Sequence, residues 1–248
     1  MRWIYRRESR LLARAETEIA ARSAASLFVS EAEADLFRRR PGVAAERVHA
    51  LGNGVDLDYF NGSRTYPDPY PPGGPVLVFT GMMDYRANVD AVRWFTDRVL
   101  PAVRARHGDA RFAIVGAKPD ERVRKLAERA GVIVTGRVAD VRPYVAHAAV
   151  AVAPLRIARG IQNKVLEAMA MARPVVASSE AFEGIDAEPG TDLLVAGGDG
   201  DGFADLVCRL LDDPGEAAGL GARGRRRLSG HYTWERRLAP LVGIVEGA

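Results

Sequence analysis

The chain has 248 residues, 48% hydrophobic and 27% charged, and 35 Lys and Arg against 32 Asp and Glu leave a net charge of +3. That is length for one full core plus an appendage, with a charge balance too even to argue for a nucleic-acid partner. A single cysteine, Cys208, excludes an internal disulfide and fits a reducing cytoplasm, and no apolar run approaches the ~20 residues that span a bilayer.

In chain order, residues 5–23 read as a helix with arginines on several faces, and Ser26–Ser30 as a short buried strand. A second helix runs from Glu31 to about Arg39, where Pro41 and Gly42 stop it, and Arg47–Leu51 reads as another strand. From Gly52 to Pro75 the chain is rich in Asn, Gly, Asp, Tyr and Pro, the chemistry of an exposed connector, and the domain boundary is expected there. After Pro75, short β-branched runs alternate with helical ones: PVLVFT, RFAIV, VIVT, AVAVA, PVVAS and a shorter LLV near Leu193–Val195. Such alternation predicts an α/β domain, a Rossmann-like parallel sheet with helices on both faces, because parallel strands need crossovers and apolar continuity suits a sheet covered twice. Helices are then expected over Asp201–Leu211 and Pro214–Leu228. A last one starts at Thr233, with an apolar stripe of Trp234, Leu238, Leu241, Val242 and Val245.

Three of the strands run directly into Gly81, Gly116 and Gly136. Glycine at the carboxyl edge of parallel strands lets a ligand approach the backbone, and open α/β sheets bind ligands at that edge. The stretch following AVAVA is more specific. Gly160 opens a short amphipathic helix that carries Lys164 and Glu167 three residues apart and leads into PVVAS. Unpaired N–H groups of a first helical turn, the helix dipole and a lysine together suit a phosphate group. Glu167, one turn further in, offers two acceptor oxygens to the paired hydroxyls of a ribose. Diphosphate beside ribose implies a nucleotide or nucleotide-sugar. The alternative for Lys164 and Glu167 is an i,i+3 ion pair on a solvated face.

The run from Lys164 and Glu167 through AMAMARPVVAS resembles the donor-site signature of family 4 glycosyltransferases, which have the two-domain GT-B architecture. VSEAEADLF, GNGVDLDYF, FTGMMDYRANVDAVRWF, GRVADVRPYVAHA and APLRIARGIQNK are similar to one branch, the sugar transferases of exopolysaccharide loci in bacteria that use the exosortase system. The resemblance implies the C-terminal half of a GT-B fold with an incomplete N-terminal segment. Residues 1–62 correspond to a remnant of the acceptor-side domain, 63–75 to a linker, 76–212 to the nucleotide-sugar binding domain and 213–248 to C-terminal helices. The last helix is expected to return to the first domain.

Its implied activity is transfer of a sugar from a nucleoside diphosphate sugar to a glycan or lipid-linked acceptor, with no cofactor and no metal. The location expected is the cytoplasm, at the inner face of the membrane in the case of peripheral membrane contact, and no nucleic-acid partner is expected. By the resemblance, Gly81 and Gly160 lie close to the diphosphate, Lys164 and Arg159 support its departure, and Glu167 holds the ribose. Arg137 and Val138 lie along the base, and Glu183 helps close the sugar pocket.

There are two departures. The family's first signature glutamate is Arg159 here, leaving retention or inversion open, and the basic pair after the first strand is replaced by Met82 and Ala87, with Arg86 the nearest substitute. Asp56 and Asp58 form a DxD in the connector that reads as structural, and the basic run Ala222–Leu228 reads as a solvated helix end. Two alternatives remain: a catalytically silent donor-binding module lacking its acceptor half, and a GT-B epimerase acting on a nucleotide-sugar.

Overall fold

The computed structural model describes residues 2–158, 160–198 and 200–246. They form two compact units, one of residues 1–54 with 234–248 and one of residues 55–233.

The first unit contains α1 (Arg2–Arg22), β1 (Ser26–Phe28), α2 (Glu31–Arg38) and β2 (Val48–Ala50), with β1 and β2 paired in parallel. Ser30 caps α2 by accepting from the Glu33 N–H at 3.3 Å. Ala34, Phe37 and Val48 make a small core, into which Phe28 packs with its ring 4.8 Å from that of Phe37.

The second unit is built on a six-stranded, wholly parallel sheet: β3 (Val76–Thr80), β4 (Arg111–Val115), β5 (Val132–Gly136), β6 (Val150–Ala153), β7 (Val175–Ser178) and β8 (Leu194–Ala196). The spatial order is β5-β4-β3-β6-β7-β8. The chain therefore winds outward from β3 in one direction and from β6 in the other, so the switch point lies between these two strands. The core positions of β3, β4, β6 and β7 are buried on successive residues, as a sheet covered on both faces requires.

The first crossover is α3 (Arg86–Trp94) and α4 (Leu100–Arg106), joined without a break through one π turn at Phe95–Val99. Pro101 has no N–H for the carbonyl four residues back, and the helix widens just ahead of it. The wide turn places Phe95 4.4 Å from Phe112 of β4 and 5.7 Å from Phe203. The remaining helices are α5 (Glu121–Arg124), α6 (Arg142–Ala146), α7 (Asn163–Ala170), α8 (Ser179–Phe182), α9 (Gly200–Asp212) and α10 (Pro214–His231).

The units divide after Gly54, within the Gly52–Pro75 stretch. Residues 55–75 belong to the sheet unit because their apolar groups are buried in it: Val55 joins the core, and buried Tyr70 lies edge-on to Tyr144 and donates its hydroxyl to the Tyr144 carbonyl at 2.7 Å. Residues 213–233 belong there too. The final helix, α11 (Trp234–Glu246), groups with the first unit and leaves Trp234, Leu238, Val242 and Val245 exposed.

The basic run in α10 is used internally. Arg223 donates to the Thr191 carbonyl, Arg225 to those of Phe60 and Ala170, and Arg227 to Asp186.

Candidate functional site

The carboxyl ends of β3, β4 and β5 are laced together by backbone hydrogen bonds. Gly81 N–H donates to the Val115 carbonyl at 3.0 Å, Gly116 N–H to the Gly136 carbonyl at 3.2 Å, and Met83 N–H to the Ala117 carbonyl at 2.8 Å. Two of the three glycine corners touch: a Cβ on Gly116 would lie 1.7 Å from the Gly81 carbonyl oxygen. Gly136 has φ +68°, the left-handed backbone that glycine adopts without penalty. Buried Asn88 fixes the loop after β3 by donating to the Met82 carbonyl at 3.0 Å, and a Cβ on Gly81 would meet its amide at 2.7 Å.

A cleft of roughly 530 Å³ opens at this edge, within the volume range of small-ligand sites. Gly81, Gly116, Arg137, Val138, Lys164 and Glu167 are among the residues that line it, together with Tyr59 and Asn163. It lies beside the switch point, because α7 follows β6 directly and the other walls come from β3, β4 and β5. Gln162, which precedes α7, makes no side-chain capping bond to the helix.

Lys164 Nζ donates to Gln162 Oε1 at 3.2 Å and sits 5.3 Å from the centroid of the Phe79 ring. Gln162 in turn donates to the Gly160 carbonyl at 3.1 Å, tying the lysine to the turn that enters the helix. Burial pushes Lys164 down to about 8, only partly offset by Glu167, and the same burial raises Glu167 above the usual carboxylate range against the pull of Lys164. The two interact through space and not as a contact pair on a solvated face. Both residues are half-buried where they line the cleft, which sets them apart from an ion pair on a solvated helix face.

Of the other residues singled out in the sequence, Gly160 has φ +69° in the approach to α7. Arg86 stands exposed as the first residue of α3, and Glu183 is exposed after α8; neither is among the side chains lining the cleft. The Glu183–Gly184 turn lies against the loop before α7, since a Cβ on Gly184 would be 3.7 Å from the Ile161 side chain. Arg159 lies outside the described residues. Asp56 of the DxD accepts from the Asp58 and Tyr59 N–H groups at 3.0 and 2.8 Å, the geometry of a turn.

A parallel sheet wound outward from β3 and β6, with a cleft at its switch point floored by glycine corners and a helix N-terminus, defines a doubly wound α/β domain with its ligand-sized cleft where open parallel sheets bind ligands. The family of glycosyl transferases group 1 matches residues 74–213, and the chain belongs to that family.

It is 32% identical over 245 residues to the GDP-mannose-dependent alpha-(1-6)-phosphatidylinositol monomannoside mannosyltransferase of Mycobacterium tuberculosis, covering 89% of this chain and 61% of the relative. Over 160 residues it is 32% identical to the GDP-mannose-dependent monoacylated alpha-(1-6)-phosphatidylinositol monomannoside mannosyltransferase of Corynebacterium glutamicum, covering 60% of this chain and 42% of that one. The chain thus spans 42% and 61% of the length of these two relatives. Anabaena HepE, solved in complex with UDP and glucose, has the same fold: TM-score 0.72 and 15% identity over 95% of this chain and 67% of that one. The fold is the C-terminal half of a GT-B transferase, as the sequence resemblance implied.

Proposed function

We propose that this chain carries the donor site of a glycosyltransferase that moves a sugar from a nucleoside diphosphate sugar to a glycan or lipid-linked acceptor. The observation that carries this reading is that Lys164 and Glu167, one helical turn apart on α7, open into the same cleft as Gly81 and the Arg137–Val138 segment. The glycine corners let a diphosphate lie against backbone, and the first turn of α7 with Lys164 faces its charge. Glu167 then reaches the ribose hydroxyls, and Arg137 and Val138 flank the base. In the transfer, the bond from the sugar's anomeric carbon to the phosphate oxygen breaks and its electron pair leaves with the diphosphate. The acceptor hydroxyl forms the new bond and gives up its proton. Stabilising the negative charge that develops on the leaving group is the part this cleft performs, through Lys164, the helix N-terminus and, in this reading, Arg159.

Two of the relatives are named as GDP-mannose-dependent and HepE was solved with UDP, which supports a nucleoside diphosphate in this cleft. In this reading, which draws on the resemblance to exopolysaccharide-locus transferases, the acceptor is a growing, lipid-linked glycan and the reaction takes place at the cytoplasmic face of the membrane. Among the described residues no helix is long and apolar enough to cross one.

Calorimetry with GDP and UDP tests the ribose assignment. Glu167→Ala is expected to weaken the tighter-bound nucleotide by roughly 10-fold or more, the loss of hydrogen bonds to a charged acceptor. Its affinity for inorganic pyrophosphate is expected to stay within about twofold. Unchanged nucleotide affinity would remove the ribose assignment. A donor-hydrolysis and transfer assay separates a transferase from a silent donor-binding module, which binds but turns nothing over, and from an epimerase, which releases product without acceptor.

A further inference from the structure

We propose that Tyr59 is the stacking platform for the nucleobase of the donor, braced from behind by Arg142; this rests on the nucleotide-sugar reading of the cleft. Tyr59 comes from the segment ahead of the sheet, 17 residues before the first strand begins at Val76, yet it lines the cleft alongside Arg137, Val138 and Val141. That wall belongs to the β5–α6 connection, the side of the cleft away from Lys164 and the helix N-terminus. A nucleotide with its diphosphate on α7 directs its base toward that wall.

The ring is held in a way that ordinary surface tyrosines are not. Its N–H is fixed by Asp56 at 2.8 Å, and its carbonyl accepts from Arg142 Nη1 at 3.2 Å. The Arg142 guanidinium lies 3.8 Å from the ring centroid, flat-stacking distance, and is itself locked by Asp140, which accepts from Nε at 2.9 and 3.0 Å and from Nη2 at 2.7 Å. Asp140 is held below the usual carboxylate range by that guanidinium, so the brace stays charged at neutral pH. Phe60 meets the ring at 82° with centroids 5.0 Å apart.

With these contacts made, Tyr59 is still 42% exposed. A ring fixed by a guanidinium and lining an open cleft is the arrangement in which a tyrosine can stack a planar base, because the cation fixes the ring and every base offers a π-face. The pairing also accounts for Asp56 and Asp58, whose turn places Tyr59, and for Asp140 and Arg142, which no other role in the cleft requires.

The test is calorimetry of the whole chain with GDP, UDP and inorganic pyrophosphate, on wild type, Tyr59→Ala and Tyr59→Phe, with thermal melting to verify folding. Tyr59→Ala is expected to weaken GDP and UDP by about 5- to 150-fold, the range for loss of one base–aromatic stack, while pyrophosphate affinity stays within about twofold. Tyr59→Phe, which keeps the ring, is expected to bind GDP as wild type does. A Tyr59→Trp variant is expected to lose indole fluorescence on addition of GDP, beyond any change in wild type. Wild-type GDP affinity in Tyr59→Ala, a Tyr59→Phe variant as weak as the alanine, or a pyrophosphate loss equal to the GDP loss would each overturn the platform. A wild-type chain that binds neither nucleotide more tightly than pyrophosphate overturns the nucleotide-sugar reading itself, a separate result.

Discussion

Replacing Lys164 with methionine is expected to reduce donor turnover by roughly 100- to 1000-fold, the scale for removing one preorganised group that stabilises developing negative charge. GDP or UDP affinity is expected to fall by about 10- to 150-fold, the range for one charge-assisted hydrogen bond. Stability moves the other way. Burial holds Lys164 at about 8 in the folded chain against its ordinary 10.5, so the folded state opposes its protonation. This penalty, about 3 kcal/mol, is fully present below pH 8 and is relieved as pH rises from about 8 to 10.5, where the unfolded chain binds more protons. At pH 7 the methionine variant is therefore expected to melt at or above the wild-type temperature.

A bound diphosphate favours the ammonium. Wild-type GDP affinity should accordingly be level below pH 8 and fall by up to about tenfold per pH unit above it. That limb should be missing in Lys164→Met. Calorimetry across pH 6.5–9.5 with melting curves checks affinity, stability and the pH limb, and a donor-transfer assay checks turnover; a variant that is both less stable and undiminished in binding would show that Lys164 is structural.

Gly116→Ala is expected to cost about 3 kcal/mol, the upper end of overpacking, because its Cβ would lie 1.7 Å from the Gly81 carbonyl oxygen and the neighbour is backbone that no rotamer can move. For a unit of this size that is a drop of roughly 6–12 °C in melting midpoint. The strain falls on the Gly81 corner, which lines the cleft, so nucleotide affinity should fall along with stability. Gly136→Ala makes the contrast: a Cβ there meets nothing within 4 Å, so only the left-handed backbone at φ +68° resists it, at about 1 kcal/mol. Equal midpoints for Gly116→Ala and wild type would mean the corners are not in contact in solution.

The sheet was legible in the sequence because its strands are short apolar runs rich in β-branched residues, three of them stopped by glycine, and the observed strands agree with the expected ones to within a residue or two. Helix α7 was legible from Gly160 and the spacing of its apolar positions. The glycines were read for ligand approach alone; that Gly116 is also required by the Gly81 backbone is a contact between strands 35 residues apart, which no local pattern encodes. Tyr59 was missed for a similar reason. Its segment has the composition of a connector, and only the turn at Asp56 and the stack on Arg142 bring it to the cleft. The internal use of Arg223, Arg225 and Arg227 was hidden too, since a basic helix face looks the same in sequence whether it meets solvent or carbonyl oxygens. The exposed position of Arg86 follows from its place at the first residue of α3, set by where the loop after β3 ends.

The most direct test of the account is a crystal structure of this chain with GDP or UDP bound. The account predicts phosphate oxygens within about 2.7–3.2 Å of Lys164 Nζ and the first-turn N–H groups of α7, with Glu167 accepting from the ribose hydroxyls. A nucleotide seated elsewhere, leaving Lys164 and Glu167 untouched, would contradict it.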